Sequence, residues 1–360
     1  MSFIFKAFSF LVALSFGFSG LMAQEEATKT PASDPTVEDT RDPDFLAWLA
    51  DFKAEALSKG ISETTLDDVL PAITPIKRVI KRDRSQPEVV QTYASYLKAR
   101  VSDWRIRKGK ERYAGDTNTL KAATDRFGVQ ERFIAAIWGI ETNYGTVPLS
   151  YSVFDAIATL AYDPRRAKRF RGEFFAALEI LDKGEATLDQ MKGSWAGAMG
   201  QPQFMPVSYQ RFAIDQDGDG TKNIWTSKAD IHASIAHYLS SFQWRADQTW
   251  GRKVKLPTND EKSLTGAQAD GIAAPGSCKR FKSIGIWRDL QDWQALGVRR
   301  VNGDDLPART GLPTALIPGD ENDGEGYLIY QNFCSIMRYN PSFKYALAVG
   351  LLSDQIAAKE

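Results

Sequence analysis

A glutamate on an apolar helix face is the first sign of chemistry in this sequence. Ile134, Ile137 and Trp138 recur at helical spacing, and Glu141 continues the same stripe. Gly145 predicts the end of the helix, which puts Glu141 in the last turn. Apolar surroundings and the helix dipole both disfavour a carboxylate there and should raise its pKa. The spacing therefore indicates a general acid, and a helix-end glutamate that reaches water is the structural alternative.

The segment from 193 to 206 has the composition of a polymer-binding loop. It reads GSWAGAMGQPQFMP, in which the small residues let the backbone come close to a ligand. Ser194, Gln201 and Gln203 offer hydrogen bonds, and the aromatic residues offer flat apolar surface. Both suit a sugar polymer, whose rings have apolar faces and hydroxyl edges. A tight helix-packing loop remains open as the alternative.

An acidic loop follows at residues 215–221. Asp215, Asp217 and Asp219 match positions one, three and five of a calcium-binding loop, with a glycine at position six. Position twelve is Thr226, so the next acid that could close the loop is Asp230. This pattern predicts a structural calcium site in an extended loop, and a hydrated acidic turn is the alternative.

Composition excludes several classes of function. The 360 residues contain 45 Lys plus Arg and 45 Asp plus Glu, so the chain has no net positive charge that would attract a nucleic acid or an anionic membrane. A neutral polymer or a small molecule is the expected partner. With only His232 and His237, a zinc site or a serine triad is not expected. Whether Cys278 and Cys334 form a disulfide is left open by their spacing.

The N-terminus has the pattern of a secretory signal peptide. Lys6 precedes an apolar run from 7 to 21, and Ala23 is the small residue at the expected cut. The run is short for a membrane span, so no transmembrane segment is expected. No cysteine stands at the predicted cut, which predicts export to the periplasm without a lipid anchor. The composition of residues 24–42 predicts a disordered leader.

The elements that must position these residues fall into three regions. Helical apolar stripes predict a helical domain at 43–130, completed by a C-terminal helix at 333–359. The catalytic core with the calcium-type loop is expected at 131–248. Alternating residues and frequent Pro and Gly predict a small β-containing domain at 249–332. The predicted fold class is α+β, mainly α.

Taken together, the motifs resemble the lytic murein transglycosylase B family. The resemblance rests on IETNYG at 140–145, ATLAYDPRR at 158–166, the 193–206 segment, the Asp215 loop and RYNP at 338–341. These occur in the family's order and spacing, and the likeness runs from about residue 44 to 357.

The resemblance implies a lysozyme-like catalytic core and a specific reaction. The reaction is cleavage of the β-1,4 bond between N-acetylmuramic acid and N-acetylglucosamine in peptidoglycan, with formation of 1,6-anhydromuramoyl ends. Glu141 matches the family's single catalytic acid. One acid suffices because the nucleophile is the muramoyl 6-hydroxyl of the substrate itself. No cofactor is implied for catalysis.

The resemblance also assigns binding residues. Those expected to contact glycan or line the cleft are Ser194, Gln203, Tyr96, Tyr238, Tyr339, Asn340 and Tyr345. Those expected to hold calcium are Asp215, Asp217, Asp219, the Thr221 carbonyl and Asp230. The implied partners are peptidoglycan glycan strands and other cell-wall enzymes, with the protein itself a monomer.

Three other functions are weighed against this one. A muramidase on the same scaffold would use water and leave reducing ends. A catalytically idle peptidoglycan-binding scaffold would have no need for an acid on an apolar helix face. A calcium sensor is the third, and a single loop inside a core is more typical of a structural brace.

Overall fold

The computed structural model describes residues 41–84, 92–257, 264, 271–319 and 324–358. The predicted signal peptide, and all but the last two residues of the predicted leader, lie outside the described residues. In the described ranges, no helix combines the length and the apolar character that crossing a membrane requires.

Helices dominate the described chain. In chain order they are α1 (Pro43–Ser58), α2 (Glu63–Val69), α3 (Lys77–Arg84), α4 (Tyr93–Arg100), α5 (Asp103–Gly115), α6 (Thr117–Phe127), α7 (Glu131–Thr142), α8 (Val153–Tyr162), α9 (Ala167–Asp182), α10 (Pro206–Phe212), α11 (Lys228–Ser240), α12 (Leu290–Ala295), α13 (Gln331–Tyr339) and α14 (Phe343–Ala357). Short 3₁₀ turns lie at Leu70–Ala72, Leu188–Gln190 and Gly276–Arg280.

The strands form two antiparallel sheets. They are β1 (Tyr151–Ser152), β2 (Lys192–Gly193), β3 (Gly251–Lys255), β4 (Trp287–Asp289), β5 (Arg299–Arg300), β6 (Pro313–Pro318) and β7 (Glu325–Ile329). The first two pair with each other, and the other five follow the order β4-β6-β7-β3-β5. The larger sheet occupies the region for which the sequence predicts a β-containing domain, and the α+β, mainly α fold class is confirmed.

The first hydrophobic core joins the N-terminal helices to the middle of the chain. Phe45, Leu49 and Phe52 on α1 are buried, as their helical spacing predicts. The Phe52 ring stacks on Phe174 of α9, with centroids 4.2 Å apart. Full burial of each such side chain stabilises the folded state by roughly 1.5–3 kcal/mol relative to leaving it exposed to water. This core also includes Val153 and other residues of α8.

The second core surrounds α7 and contains residues of α4, α6, α11, α13 and α14. The C-terminal helix α14 packs against α4 and α5. The predicted helical domain at 43–130, however, does not share one core. Its first half packs with α8 and α9, and its second half packs with α7 and α14. The reason is that residues 133–140 of α7 are all apolar or small and all buried, so this part of the helix needs partners on every side.

A disulfide joins Cys278 to Cys334, with their Cα atoms 5.1 Å apart. It ties the 3₁₀ turn at Gly276–Arg280 to α13. The pairing that the sequence leaves open is therefore decided by the packing of two segments that are 56 residues apart.

Candidate active site

The candidate site begins at the C-terminal end of α7. Ile134, Ile137 and Trp138 are buried, and Glu141 is half-buried in the last turn of the helix, as predicted. The predicted helix end at Gly145 is wrong by two residues. The cap is Asn143, which adopts the left-handed conformation at φ 51°. Asparagine tolerates that conformation better than most residues, so it can end a helix where glycine is absent.

Tyr144 turns back beneath the helix and explains the early end. Its own φ is 60°, and its ring lies against Gly139. A Cβ atom added to Gly139 would meet a Tyr144 ring carbon at 2.4 Å, so only glycine leaves room for the ring. The Tyr144 hydroxyl donates to the backbone carbonyl of Arg105 at 2.9 Å. The chain bend after Glu141 is therefore stabilised by a hydrogen bond to the backbone of α5.

Arg105 binds the same helix end and was not predicted. Its Nε donates to the Gly139 carbonyl at 3.0 Å, and its Nη2 donates to Asn143 Oδ1 at 2.6 Å. Burial lowers the pKa of Arg105, with the neighbouring Arg100 as the next cause. The guanidinium supplies positive charge where the helix dipole is negative. Sequence offers no signal for this contact, because an arginine on a helix is ordinarily read as a solvent-facing residue.

Two stacked tyrosines cover Glu141. The Tyr345 hydroxyl donates to Glu141 Oε1 at 2.6 Å. The Tyr339 ring stacks on Tyr345 with centroids 6.5 Å apart and planes 10° apart. Burial raises the pKa of both phenols well above the usual value, and the nearby Glu141 charge adds to the rise. Tyr345 therefore stays protonated and acts as a hydrogen-bond donor to the carboxylate.

The other predicted cleft residues lie around this pair. The Tyr238 ring is 4.6 Å from Tyr339, and its hydroxyl donates to the Arg338 carbonyl at 2.5 Å. Tyr96 is buried in the same core as Tyr345. Asn340 is half-buried and caps α13 directly after Tyr339.

Ser194 and Gln203 stabilise the segment at 193–206, which we call the glycine-rich loop. Ser194 Oγ accepts hydrogen bonds from the backbone N–H groups of Ala196 and Ala198, at 3.4 and 3.2 Å. The Gln203 side-chain amide donates to the Gly200 carbonyl at 2.9 Å. Both residues are half-buried, so they retain exposed surface beside the bonds they make within the loop. Their contact with glycan stays a prediction.

Gln201 connects that loop to α7. Its Oε1 accepts from Trp138 Nε1 at 2.6 Å, and its Nε2 donates to the Trp225 carbonyl at 2.7 Å. The Thr142 hydroxyl donates to the Gln201 carbonyl at 3.1 Å. The sequence identifies Gln201 as a hydrogen-bonding residue, but its role between α7 and the loop requires the tertiary structure.

The acidic loop brings three carboxylates together. One oxygen from each of Asp215, Asp217 and Asp230 lies within 4.8 Å of the others. Asp230 is fully buried, and its oxygens accept from the backbone N–H groups of Gln216 and Asn223, both at 2.7 Å. Burial raises its pKa. Three converging carboxylates are a donor set that suits a hard cation such as Ca²⁺.

Asp219 and Thr221 are arranged differently. The Asp219 carboxylate accepts hydrogen bonds from the Thr221 backbone N–H at 2.8 Å and from its hydroxyl at 2.7 Å. Asp219 does not belong to the group of three converging carboxylates. Its part in metal binding, and that of the Thr221 carbonyl, stay predictions.

Comparison with known proteins identifies the family. A family model described as a transglycosylase SLT domain matches residues 44–354. The chain belongs to this family. The resemblance to lytic murein transglycosylase B is confirmed as well, because the membrane-bound enzyme of that name from Escherichia coli K12 is 31% identical over 264 residues. The match covers 73% of this chain and 66% of that relative, slightly under two thirds of its length.

Solved structures of SLT transglycosylases have the same fold. SltB3 of Pseudomonas aeruginosa, crystallised with NAG-NAM-pentapeptide, is 37% identical with a TM-score of 0.78. That match covers 88% of this chain and 80% of SltB3. Escherichia coli Slt35, crystallised with calcium, is 26% identical with a TM-score of 0.70 and coverage of 86% and 92%. The lysozyme-like core predicted for this family member is confirmed.

Proposed function

We propose that this protein is a lytic transglycosylase that cleaves the β-1,4 bond between N-acetylmuramic acid and N-acetylglucosamine in peptidoglycan. The observation that carries the proposal is the half-buried Glu141, which accepts a hydrogen bond from Tyr345 at the end of an apolar helix in a chain of the SLT family. The crystal complex of SltB3 with NAG-NAM-pentapeptide, a protein 37% identical to this one, supports the choice of substrate.

The reaction follows from a single acid and an internal nucleophile. Protonated Glu141 donates its proton to the bridging oxygen as the bond from that oxygen to muramoyl C1 breaks. The resulting carboxylate accepts the proton of the muramoyl 6-hydroxyl as its oxygen bonds to C1. The net change is one proton moved from O6 to the leaving oxygen, and no water is consumed. Because both reacting groups belong to one sugar ring, no second carboxylate is needed.

The two tyrosines support both halves of this cycle. Tyr345 donates to the carboxylate at 2.6 Å and so holds one oxygen of Glu141 in place. That leaves the second oxygen to exchange the proton with substrate. Tyr339, stacked on Tyr345, covers the site and reduces the access of water, which would compete as the nucleophile.

Digestion of purified peptidoglycan sacculi, with the products identified by mass spectrometry, tests the proposal. Transglycosylation predicts muropeptides that end in 1,6-anhydromuramic acid and are lighter by one water than hydrolysis products. Products with reducing ends would instead indicate a muramidase. The absence of any released product would favour a binding scaffold.

We further propose that the acidic loop holds a structural Ca²⁺ ion. Asp215, Asp217 and Asp230 would be its carboxylate ligands, and Asp219 and the Thr221 carbonyl would complete the set. The cation would offset the repulsion between carboxylates that lie within 4.8 Å of one another. Because Asp230 lies in the first turn of α11, the ion would brace the loop against that helix. The calcium complex of Slt35 supports this proposal.

We also propose that the protein acts in the periplasm. The signal-peptide pattern at 1–23 and the Cys278–Cys334 disulfide support an oxidising compartment outside the cytoplasm. Cell fractionation followed by N-terminal sequencing of the protein tests this, and we expect a mature N-terminus close to residue 24.

A further inference from the structure

Gln201 binds α7 on both sides of Glu141. Trp138, one turn before Glu141, donates its indole N–H to Gln201 Oε1 at 2.6 Å. Thr142, directly after Glu141, donates its hydroxyl to the Gln201 carbonyl at 3.1 Å. The Gln201 amide also lies against Gly145, where an added Cβ atom would overlap it. A residue outside the helix therefore contacts the last turn of α7 before and after the acid.

The remaining hydrogen bonds of Gln201 reach the segment that follows the acidic loop. Its Nε2 donates to the Trp225 carbonyl at 2.7 Å, and its backbone N–H donates to the Ile224 carbonyl at 2.9 Å. Gly200, the residue before it, lies so close to the buried Ile224 that an added Cβ atom would overlap the Ile224 side chain. A displacement of this segment would therefore displace Gln201.

That segment is in turn bound to the acidic loop. The Asn223 backbone N–H donates at 2.7 Å to Asp230, which is one of the three converging carboxylates. The Asn223 side-chain oxygen accepts from the backbone N–H groups of Trp225 and Thr226, at 3.2 and 3.0 Å. This turn orients the Trp225 carbonyl that Gln201 binds. A series of hydrogen bonds therefore runs from Asp230 to the last turn of α7 and passes through Gln201.

We propose that Gln201 is a positioning residue through which the acidic loop determines the position of Glu141. Chains of hydrogen bonds and packed side chains can carry energetic coupling between distant sites. A carboxyl group that donates a proton must lie within hydrogen-bond distance of the leaving oxygen, so small displacements of α7 should lower the rate. This inference rests on the proposed function and gives the acidic loop a part in catalysis besides bracing the fold.

The variant Gln201→Met tests the positioning role, because methionine is unbranched like glutamine but can make neither side-chain hydrogen bond to Trp138 or Trp225. On soluble glycan strands, kcat should fall at least about fivefold and KM should change little, because substrate still binds while the acid is misplaced.

Gln210→Met on α10 is the matched control. It removes another half-buried glutamine, whose Nε2 donates to Glu179 at 3.0 Å and which takes no part in the series from Asp230 to α7. Its kcat should equal that of the wild type. A kcat of Gln201→Met that matches the kcat of this control would overturn the proposal.

A double-mutant cycle with Asn223→Ala tests whether the acidic loop acts through Gln201. Asn223→Ala alone should lower kcat, because it removes the side-chain oxygen that orients Trp225. In the Gln201→Met background the same change should have no further effect, since the connection to α7 is already lost. The coupling would be wrong if Asn223→Ala leaves kcat unchanged, or if the two losses multiply.

Nuclear magnetic resonance of the nine tryptophan indole groups separates this proposal from the proposed function, because it needs no turnover. In protein with ¹⁵N-labelled tryptophan, Trp138→Phe assigns the Trp138 indole resonance. This resonance should shift in Gln201→Met, where its hydrogen bond is lost, and in Asn223→Ala, where Gln201 is displaced. The indoles of Trp250 and Trp293, which donate to groups in other parts of the fold, should keep their resonances and so show that both variants fold.

The outcomes of this measurement are independent of activity. A Trp138 resonance that stays in place in Asn223→Ala would overturn the coupling, even if the wild type releases anhydro products. The expected shifts would support the connection from the acidic loop to α7, even if no anhydro product is ever formed and the proposed function fails.

Discussion

At the scale of single residues, the proposed reaction depends on one carboxyl group and on the hydroxyl that donates a hydrogen bond to it. Glu141 lies in the last turn of α7, and Tyr345 donates to it from α14. Neither residue can take over the other's part, because the phenol stays protonated and only the carboxyl exchanges a proton in the proposed reaction. Variants at the two positions should therefore differ in severity.

Glu141→Gln should abolish turnover while leaving the fold intact, because it removes the proton donor and keeps the shape of the side chain. General acid catalysis accounts for about 10²–10⁴ in rate, so we expect at least a hundredfold loss of anhydromuropeptide release. Glu131→Gln is the matched control, since it changes the same residue type in the first turn of the same helix. Activity of Glu141→Gln within tenfold of the wild type would contradict the assignment.

Tyr345→Phe should lower kcat about tenfold and change KM little. The variant keeps the aromatic ring that covers Glu141 but loses the hydrogen bond to Oε1. The free energy of a hydrogen bond to a charged group accounts for a change in rate of this size. Steady-state kinetics on soluble glycan strands, with near-ultraviolet circular dichroism to check packing, measures this. If KM rises while kcat stays constant, Tyr345 binds substrate and does not position the acid.

At the scale of elements, the site depends on how α7 ends. Arg105 donates to the Gly139 carbonyl and to the Asn143 side chain, and Tyr144 fits under the helix because Gly139 has no side chain. Gln201 then links this end to the glycine-rich loop. A single change in packing at Gly139 should therefore affect both stability and activity.

Gly139→Ala should destabilise the protein by about 2–4 kcal/mol, because the new methyl group overlaps the Tyr144 ring. Gly172→Ala on α9 is the matched control, since a Cβ there meets no atom within 4 Å. Alanine has a higher helix propensity than glycine, so the free energy of unfolding of the control should rise by about 0.5–1 kcal/mol. Urea unfolding of both variants measures the difference, and equal effects would mean that Tyr144 moves aside without cost.

At the scale of the whole molecule, the acidic loop is where a cation can couple the loop to the core. Asp230 belongs to α11, which packs on α6 and α7, while Asp215 and Asp217 belong to the loop that precedes it. A bound ion would link these elements in the folded state only, so its binding free energy would add to stability.

Saturating Ca²⁺ should therefore raise Tm by about 5 °C over the protein in chelator, and Mg²⁺ should have a smaller effect because it prefers a compact octahedral site. Asp217→Asn should reduce the shift, because it removes one exposed ligand without touching the buried Asp230. Asp304→Asn, an exposed acid in another loop, is the control. Differential scanning calorimetry measures the shifts, and an identical Tm with calcium and with chelator would contradict the calcium site.

Features that depend on neighbours along the chain could be predicted from the sequence. Helical periodicity places Ile134, Trp138 and Glu141 on one face of a helix that packs into the core. The acidic loop is likewise recognised from the spacing of its aspartates along the chain. The exception is the helix end, where the backbone conformation of Asn143 depends on room beneath Gly139. Local periodicity can be read because it follows from the geometry of the backbone.

Contacts between distant segments could not be predicted from the sequence and follow from the folded structure. Tyr345 lies 204 residues after Glu141, Arg105 caps a helix 34 residues later in the chain, and Cys278 pairs with Cys334. Each contact depends on how separate helices and turns pack together, and the angles and positions of that packing are set by many side chains at once. Glu141 can therefore be found from local spacing, whereas the groups that contact it come together only when the chain folds.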